Sequence, residues 1–396
     1  MAMRCARLNR SVVGTAGWHP AIWHWVLVLT VLTGRTANAQ PRLALDERER
    51  RAIPFVFSEI IGLRELGNGS VLVADRKDRT LYLVEAIGST TPPQTKPVGR
   101  AGSGPMEYGA VGPLFAGASD TTFMYDLRNR RWVVLVGGEI RRTMTDTDFG
   151  IAETGGGTAV RGRDAEGRLL LVRSRPFAEA PSSAGVPDSL MLLLASERGR
   201  RVDTVASLAS LGDRAIIGQR AADGTPTRFA LVSPTVVSED QAVLFDDGWV
   251  AVATQAPYRV CWIAPDGRRV NGPELPHKRT TYDAGERQAY AAHLDRLGRR
   301  KPSTADASRW PKTIPAFSAN GLLATPDHRL VVRQMVRAGA TGTRYLFIDR
   351  SGKAVGQMDL PESQAIAGFG PGSVYVVQHG SAGEQQLVRY AWTGGR

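Results

Sequence analysis

The feature of this sequence that most restricts its fold is a strand–turn–strand pattern that occurs twice, at 259–276 and again at 344–361. Each copy runs from an apolar segment through a turn centred on Gly267 or Gly352 to a second apolar segment and an exit proline. A hairpin that returns along a chain is typical of repeat architectures, in which each unit buries its apolar face against its neighbours. The repeat therefore predicts an array of similar small sheets.

Outside the two copies, short alternating runs are separated by Gly, Asp and Pro, which is the pattern of many antiparallel strands. Turn signals recur near positions 69, 120, 167, 248, 328 and 372. Most intervals between them fit one four-stranded unit, and the two wide intervals each contain an insertion. Six such units predict an all-β fold, a six-bladed β-propeller of four-stranded antiparallel blades, which closes on itself and leaves no long sheet edge.

The two wide intervals differ in pattern. One contains a helical stretch at 281–300, where Tyr290, Leu294 and Leu297 share a face. We therefore expect one short helical insertion, at about 277–313, packed across a face of the propeller. The other interval, at 208–229, is polar and Gly-rich and is interpreted as a long loop that leads into a strand near 229–233.

The N-terminal 39 residues have the pattern of a secretory signal. Basic residues open the segment, an apolar run follows at 23–32, and small residues stand at 37–39. The apolar run is short for a membrane span. We expect a cleaved signal peptide at 1–39, an N-terminal segment at 40–54 and the propeller at 55–396, exported to the periplasm or secreted, with no stable membrane span after cleavage. An uncleaved anchor and a wrongly assigned start are the alternatives.

The charge of the chain is basic but dispersed. Fifty Lys and Arg residues outnumber 38 Asp and Glu, giving a formal charge of +12. The arginines are spread along the chain and include pairs in separate turns, such as Arg141-Arg142 and Arg268-Arg269. A nucleic-acid surface concentrates its cations in one stripe. We therefore expect no nucleic-acid partner.

Three stretches resemble a known family. The segment 99–108, GRAGSGPMEY, is similar to the G-R-x-G-x-G-P-G-E-F segment of NHL-like six-bladed propellers exported by bacteria, with Met106 and Tyr108 as departures. The segment 313–317 resembles their proline-led fifth blade, and 344–361 with 374–390 resembles their last blades. The resemblance implies the fold but no activity, because propellers serve binding, hydrolysis, lyase chemistry and scaffolding alike.

Three aspartates, Asp75, Asp126 and Asp349, each end a predicted strand. Carboxylates from several blades that converge on the central channel would bind calcium or another divalent metal, as the propeller lactonases and lyases do. The alternative is that each carboxylate caps the turn that follows its strand. Both interpretations stay open from the sequence.

The sequence contains no recognisable catalytic set. The histidines His277, His293, His328 and His379 lack ligand spacing and are expected at the surface. No Gly-x-Ser-x-Gly elbow occurs, and the glycines near Ser103 lack the Lys-Ser/Thr of a phosphate loop. We therefore predict no catalytic residue and no bound cofactor, apart from the divalent metal of the alternative above.

The helical insertion combines aromatic and basic side chains, which are common at recognition surfaces. The candidate ligand contacts are Tyr282, Tyr290, His293, Arg299, Arg300 and Trp310. Alternatively, the aromatic rings pack on the blades. The sequence as a whole predicts a binding module for a protein, a polysaccharide or a small molecule, without catalysis. The alternative is a metal-dependent, lactonase-like hydrolase or lyase.

Overall fold

The computed structural model describes residues 40–394, apart from 86, 88–91, 150, 152–157, 174–187, 197–200, 211–214, 221–225, 233–235, 237, 298–301 and 305–309. For 188–189, 210, 215–220 and 226–232 it describes the backbone alone. The predicted signal at 1–39 and the candidate contacts Arg299 and Arg300 lie outside the described residues.

The first half of the chain forms three four-stranded antiparallel sheets. After β1 (Arg51–Phe57), the first sheet contains β2 (Ile60–Glu65), β3 (Val71–Asp75), β4 (Thr80–Glu85) and β5 (Gln94–Val98). A short parallel pair, β6 (Arg100–Ala101) and β7 (Glu107–Tyr108), leads to the second sheet of β8 (Leu114–Ala116), β9 (Thr121–Asp126), β10 (Arg131–Val136) and β11 (Glu139–Met144). Helix α1 (Asp146–Phe149) precedes the third sheet, which comprises β12 (Thr158–Arg163), β13 (Leu169–Arg173), β14 (Asp188–Ser196) and β15 (Arg201–Ser210).

The second half adds a hairpin, a helix and three further sheets. The hairpin consists of β16 (Ala215–Arg220) and β17 (Pro226–Val232). The fourth sheet contains β18 (Gln241–Leu244), β19 (Val250–Gln255), β20 (Tyr258–Ile263) and β21 (Arg269–Asn271), and helix α2 (Ala284–Arg296) follows it. The fifth sheet contains β22 (Phe317–Ala324), β23 (Leu330–Gln334), β24 (Gly342–Ile348) and β25 (Ala354–Pro361). The last three strands are β26 (Gln364–Gly370), β27 (Ser373–His379) and β28 (Gln385–Ala391).

The six sheets are arranged as a ring. The first strand of each sheet contacts the first strand of the next, in the cyclic order β2, β8, β12, β18, β22, β26 and back to β2. The N-terminal strand β1 closes the ring, because it pairs antiparallel with β28 and supplies the outer strand of the sixth sheet. The predicted six-bladed β-propeller is therefore confirmed. Strand β1 runs across the predicted boundary at residue 55.

The hydrophobic core is divided among the interfaces between adjacent blades. One cluster joins Leu72 and Leu81 of the first blade to Val133 and Leu135 of the second. Five further clusters join the remaining neighbours in the same way, the last connecting β1 and β27 to the first blade. Each blade therefore buries its apolar faces against its two neighbours, as the repeat predicts.

The repeated pattern forms the same pair of strands in two adjacent blades. The copy at 259–276 spans β20 and β21, and the copy at 344–361 spans β24 and β25, so both are third-to-fourth strand hairpins. Gly267 and Gly352 occupy matching turns with φ of +84° and +76°. These angles favour glycine, which has no Cβ to clash with its own backbone.

The blade connections define two faces of the ring. In each antiparallel blade, the turns between the first and second and between the third and fourth strands lie at one end, which we call the turn face. The turns between the second and third strands and the connections between blades lie at the other end, which we call the linker face. The segment 272–316, which contains α2, begins and ends at the linker face. The interval interpreted as a loop at 208–229 instead contains the hairpin of β16 and β17.

Candidate functional site

The helical insertion leaves the fourth blade through a narrow neck. Tyr282 N donates to Lys312 O at 3.0 Å, and Ile314 N donates to Thr280 O at 2.9 Å. Helix α2 begins beyond this neck at its N-cap Asp283, whose carboxylate accepts a hydrogen bond from Glu286 N. These two backbone hydrogen bonds fix the position of the insertion on the linker face.

The insertion has a small core of its own. Tyr282 and Trp310 are 3% and 5% exposed, with ring centroids 5.0 Å apart, and Tyr290 packs edge-on to Trp310. Ile314 and Met335 complete this cluster, together with Val236 from the connection before β18. The candidate contacts Tyr282, Tyr290 and Trp310 are therefore brought together, but as the interior that holds the insertion on the ring.

The end of helix α2 is tied to the next blade connection by charge. His293 Nδ1 lies 2.6 Å from Glu362 Oε1, and Arg296 forms two hydrogen bonds, of 2.6 and 2.9 Å, with the same carboxylate. Arg296 and His293 hold the pKa of Glu362 below its ordinary value, against the opposing effect of desolvation. His293, a candidate contact that we expected at the surface, is 7% exposed and supports the helix.

A cleft opens where the insertion meets the fifth blade. It has a volume of about 180 Å³. Its walls come from the two ends of the insertion and from the loop after β23, and we call it the insertion cleft. Its lining residues are Pro276, His277, Lys278, Pro315, Ala316, Gln334, Met335 and Arg337.

The charged groups around the insertion cleft are mostly basic. Arg337 Nη2 lies 3.5 Å from Glu286 Oε1, and the other oxygen of Glu286 accepts from Ala338 N at 2.8 Å. Burial lowers the pKa of His277, and the positive charges of Arg337 and Arg279 lower it further, although a contact with Ile314 O opposes the shift. His277 is therefore mainly neutral at neutral pH, in a positive field.

The strand-end aspartates of the first two blades bind backbone amides. Asp75, which is fully buried, accepts from the amides of Ser58, Glu59 and Asp78 at 2.6–3.1 Å. Asp126 is equally buried and accepts from the amides of Gly109, Ala110 and Asn129, and from the Asn129 side chain. Both lie at the linker-face end of a second strand. These hydrogen bonds use all four lone-pair positions of Asp126 and three of the four of Asp75.

The third predicted metal ligand lies at the opposite face. Asp349 follows the third strand β24, so it stands on the turn face, and its Oδ1 accepts from Ser351 N, Ser351 Oγ and Lys353 N. The structure therefore does not bring Asp349 together with Asp75 and Asp126. Each carboxylate has hydrogen bonds typical of turn capping.

The described part of the chain contains one grouping with metal-ligand chemistry, Asp246, Asp247 and His328 on the turn face. Arg350 already donates to both carboxylate oxygens of Asp247, at 3.0 and 2.9 Å. Its guanidinium also stacks over the Trp262 ring, 4.4 Å from the centroid. The positively charged guanidinium of Arg350 therefore already lies next to the Asp247 carboxylate.

The Gly-rich segment 99–108 has a structural role. The Glu107 carboxylate accepts from Gly104 N at 2.7 Å and from Arg100 Nε at 2.6 Å, and a Cβ on Gly102 would lie 2.1 Å from it. Tyr108 Oη bridges Leu81 N and Val98 O. A broader depression of about 480 Å³ lies over this segment. The Glu107 carboxylate already binds the Arg100 guanidinium and the Gly104 amide, which are the groups that an anion would need.

The insertion cleft was not predicted from the sequence. Its basic residues come from separate segments, His277 and Lys278 from one end of the insertion and Arg337 from the loop after β23. One local signal was available, the basic run 277–279 directly after the exit proline of the first hairpin copy. Nothing in the sequence around Arg337 indicates a role in a site, because Arg337 lies opposite the run 277–279 only in the folded propeller.

The fold and site describe a six-bladed β-propeller with a cleft beside its insertion. No family model and no curated protein matches the sequence. The chain is similar in structure to a DUF4221 member from Bacteroides vulgatus, with 8% identity, a TM-score of 0.48 and coverage of 89% of this chain and 98% of that one. Virginiamycin B lyase from Staphylococcus aureus has 10% identity, a TM-score of 0.41 and coverages of 86% and 97%. For a luciferin-regenerating enzyme the values are 12%, 0.41, 87% and 95%.

None of the helices in the described ranges has both the length and the apolar character that a membrane-spanning helix requires.

Proposed function

We propose that this chain is an exported propeller that binds a ligand in the insertion cleft and releases it unchanged. The observation that carries this proposal is the placement of the cleft. It lies at the joint between the ring and the insertion, and the insertion is fixed there by a core of its own. Concave sites with a few convergent polar groups on rigid walls are typical of ligand recognition.

The chemistry of the lining favours binding over catalysis. Among the residues that the structure describes, no hydroxyl, thiol or carboxylate side chain lines the cleft, so these walls contain no nucleophile with an acid–base partner. Of the described lining residues, His277 alone has a near-neutral ordinary pKa, and its Nε2 is 3.2 Å from Ile314 O. Four cationic or neutral donors and four apolar residues instead suit recognition of a polar group with an apolar neighbour.

The metal-dependent hydrolase or lyase has less support. That mechanism needs carboxylates with free oxygens facing one channel position. Asp75 and Asp126 direct theirs to backbone amides, and Asp349 stands on the other face.

Export rests on the pattern of residues 1–39, a basic start, an apolar run and small residues before Gln40. N-terminal sequencing of the protein recovered from a producing cell tests it. A mature chain that begins near Gln40 is the expected result, and a retained Met1 would contradict cleavage.

The binding proposal is tested with a thermal-shift screen of small metabolites, both charged and neutral, against the native protein and Lys278→Trp. Lys278 is exposed, so the indole fills the mouth of the cleft without disturbing the core. We expect compounds that raise the melting temperature of the native protein and not of the variant, and that mass spectrometry recovers unchanged. Stabilisation that is equal in both proteins, or recovery of a cleaved product, would overturn the proposal.

A further inference from the structure

The insertion cleft concentrates basic donors that the protein itself does not neutralise. Among the described residues, neither Lys278 nor Arg279 has a carboxylate within ion-pair distance, and Glu286 is the one acidic group paired with Arg337. The segments that carry His277, Lys278, Arg279 and Arg337 therefore supply more positive charge than Glu286 balances. Such an excess on a concave surface focuses positive potential into the cleft.

Arg337 has a donor that points to no acceptor. Glu286 contacts only its Nη2, at 3.5 Å, and Nε is buried without a hydrogen-bond partner among the described residues. A buried donor without an acceptor costs free energy. The Arg337 side chain as a whole is still 36% exposed, so an anion in the cleft would meet a guanidinium that Glu286 already orients.

The remaining lining adds a polar amide and apolar walls. Gln334 is half-buried at the end of β23, and Pro276, Pro315 and Met335 form the sides. The volume of about 180 Å³ is below the roughly 300–1,000 Å³ of sites for drug-sized molecules. The cleft therefore fits a small anion or one charged group, and it is too small for several units of a polymer.

We propose that the insertion cleft is an anion site, which binds the carboxylate or phosphate group of a small ligand through Arg337 and Lys278, with Gln334 as an additional donor. This inference rests on the proposed function and specifies the chemical class of the ligand. Arg337 and Lys278 supply charge from two separate segments, so the anion also joins the insertion to the loop after β23.

The test uses isothermal titration calorimetry with inorganic phosphate, acetate and succinate, at a constant ionic strength set with chloride. The full chain is compared with Lys278→Gln and Arg337→Gln. Lys353→Gln is the matched control, because Lys353 is an exposed lysine on the turn face. We expect at least one of the anions to bind the native protein, about ten-fold or more weaker binding in each cleft variant, and no change in the control. Unchanged melting temperatures of the free variants show that they fold.

Two results overturn the anion site. One is the absence of any heat up to about 10 mM anion, a range in which even weak charge-assisted binding registers. The other is equal weakening in Lys278→Gln and Lys353→Gln, which indicates loss of overall charge rather than of a site. Neutral compounds that stabilise the native protein but not Lys278→Trp would then show that the cleft binds uncharged ligands, so that the proposed function stands while the anion site falls. If every compound that stabilises the native protein stabilises Lys278→Trp equally, both proposals fail.

Discussion

The two copies of the repeated hairpin have the same strand pairing and differ in the length of the connection that follows each of them. After the copy in the fifth blade, residues 362–363 suffice to reach β26, whereas residues 277–316 intervene between the copy in the fourth blade and β22. The residues that follow the two exit prolines also differ in charge, His277 in one copy and Glu362 in the other. His277 lines the insertion cleft, and Glu362 holds the end of helix α2. The two hairpin copies form part of the scaffold, and the segments that follow their exit prolines contribute His277 and Glu362 to the candidate site and its support.

The largest difference between the copies is expected at the turn glycines. Gly352 lies against the preceding blade, and a Cβ there would stand 2.3 Å from Gly272 Cα, whereas a Cβ on Gly267 meets nothing within 4 Å. Both have positive φ. We expect Gly352→Ala to lower the free energy of unfolding by about 2–4 kcal/mol, because backbone strain and overpacking add.

The matched control is Gly267→Ala, which carries the backbone strain alone and should cost about 1 kcal/mol. Urea unfolding followed by tryptophan fluorescence measures both. Equal losses in the two variants would show that the close approach of Gly352 to Gly272 does not determine stability.

The next effect is expected at Glu362. Glu362→Gln removes the carboxylate that binds His293 and Arg296 and should weaken the docking of helix α2 by about 1–2 kcal/mol. The ring itself stays folded. Hydrogen exchange measures this as faster exchange of the amides within 284–296, with blade amides unchanged.

The sign of the pH dependence follows from the lowered pKa of Glu362. A carboxyl whose pKa is lower in the folded state contributes stability above its unfolded value of 4.5 and loses it as the pH falls toward the folded pKa. Docking of α2 should therefore weaken below about pH 4.5 in the native protein and vary less in Glu362→Gln. Identical acid profiles would contradict this role.

A smaller effect is expected at the turn position where the copies carry Asp349 and Ala264. Asp349 accepts three hydrogen bonds within its own turn, but the first copy forms the same turn with alanine, through Gly267 N to Ala264 O. Asp349→Ala should cost about 1 kcal/mol, because the freed donors are near solvent. Thermal unfolding measures it, and a loss above about 3 kcal/mol would mean that the turns are not equivalent.

The smallest effect is expected at His277. It faces the Tyr258 ring, Ile314 O and the positive charges of Arg337 and Arg279, with Lys278 beside it. A histidine with a lowered folded pKa contributes stability above its unfolded value of 6.5 and loses it as the pH falls below that value.

Stability of the native protein should therefore decline between pH 6.5 and the lowered folded pKa of His277. The decline should stay under about 1 kcal/mol, because the cleft is open to solvent. His277→Gln should remove it. Urea midpoints at several pH values measure the change, and an unchanged slope in the variant would contradict the burial of His277.

The sequence predicted those parts of the fold that local patterns encode. Alternation and turn glycines located the hairpins at 259–276 and 344–361, and helical periodicity at 281–300 located α2, observed at 284–296. Strand β5 (Gln94–Val98) was not assigned, because it is a polar, proline-containing edge strand. The fourth strand of the sixth blade was also missed, because β1 pairs with β28 from the other end of the chain.

The site was predictable only in part. Aromatic content identified the insertion, but composition does not reveal which face of Tyr282 or Trp310 is covered, and both are buried. The insertion cleft depends on the meeting of Lys278 with Arg337, which ring closure and the insertion core determine together.

The pairing of β1 with β28 has a consequence for how the protein is made. Among the described strands, β1 leaves the ribosome before all the others and its partner β28 leaves after them, so β1 lacks its sheet partner while all the intervening blades are synthesised. An unpaired strand edge is a template for association with other chains. A chain truncated before residue 385 would lack β28, so β1 would have no partner and the ring could not close.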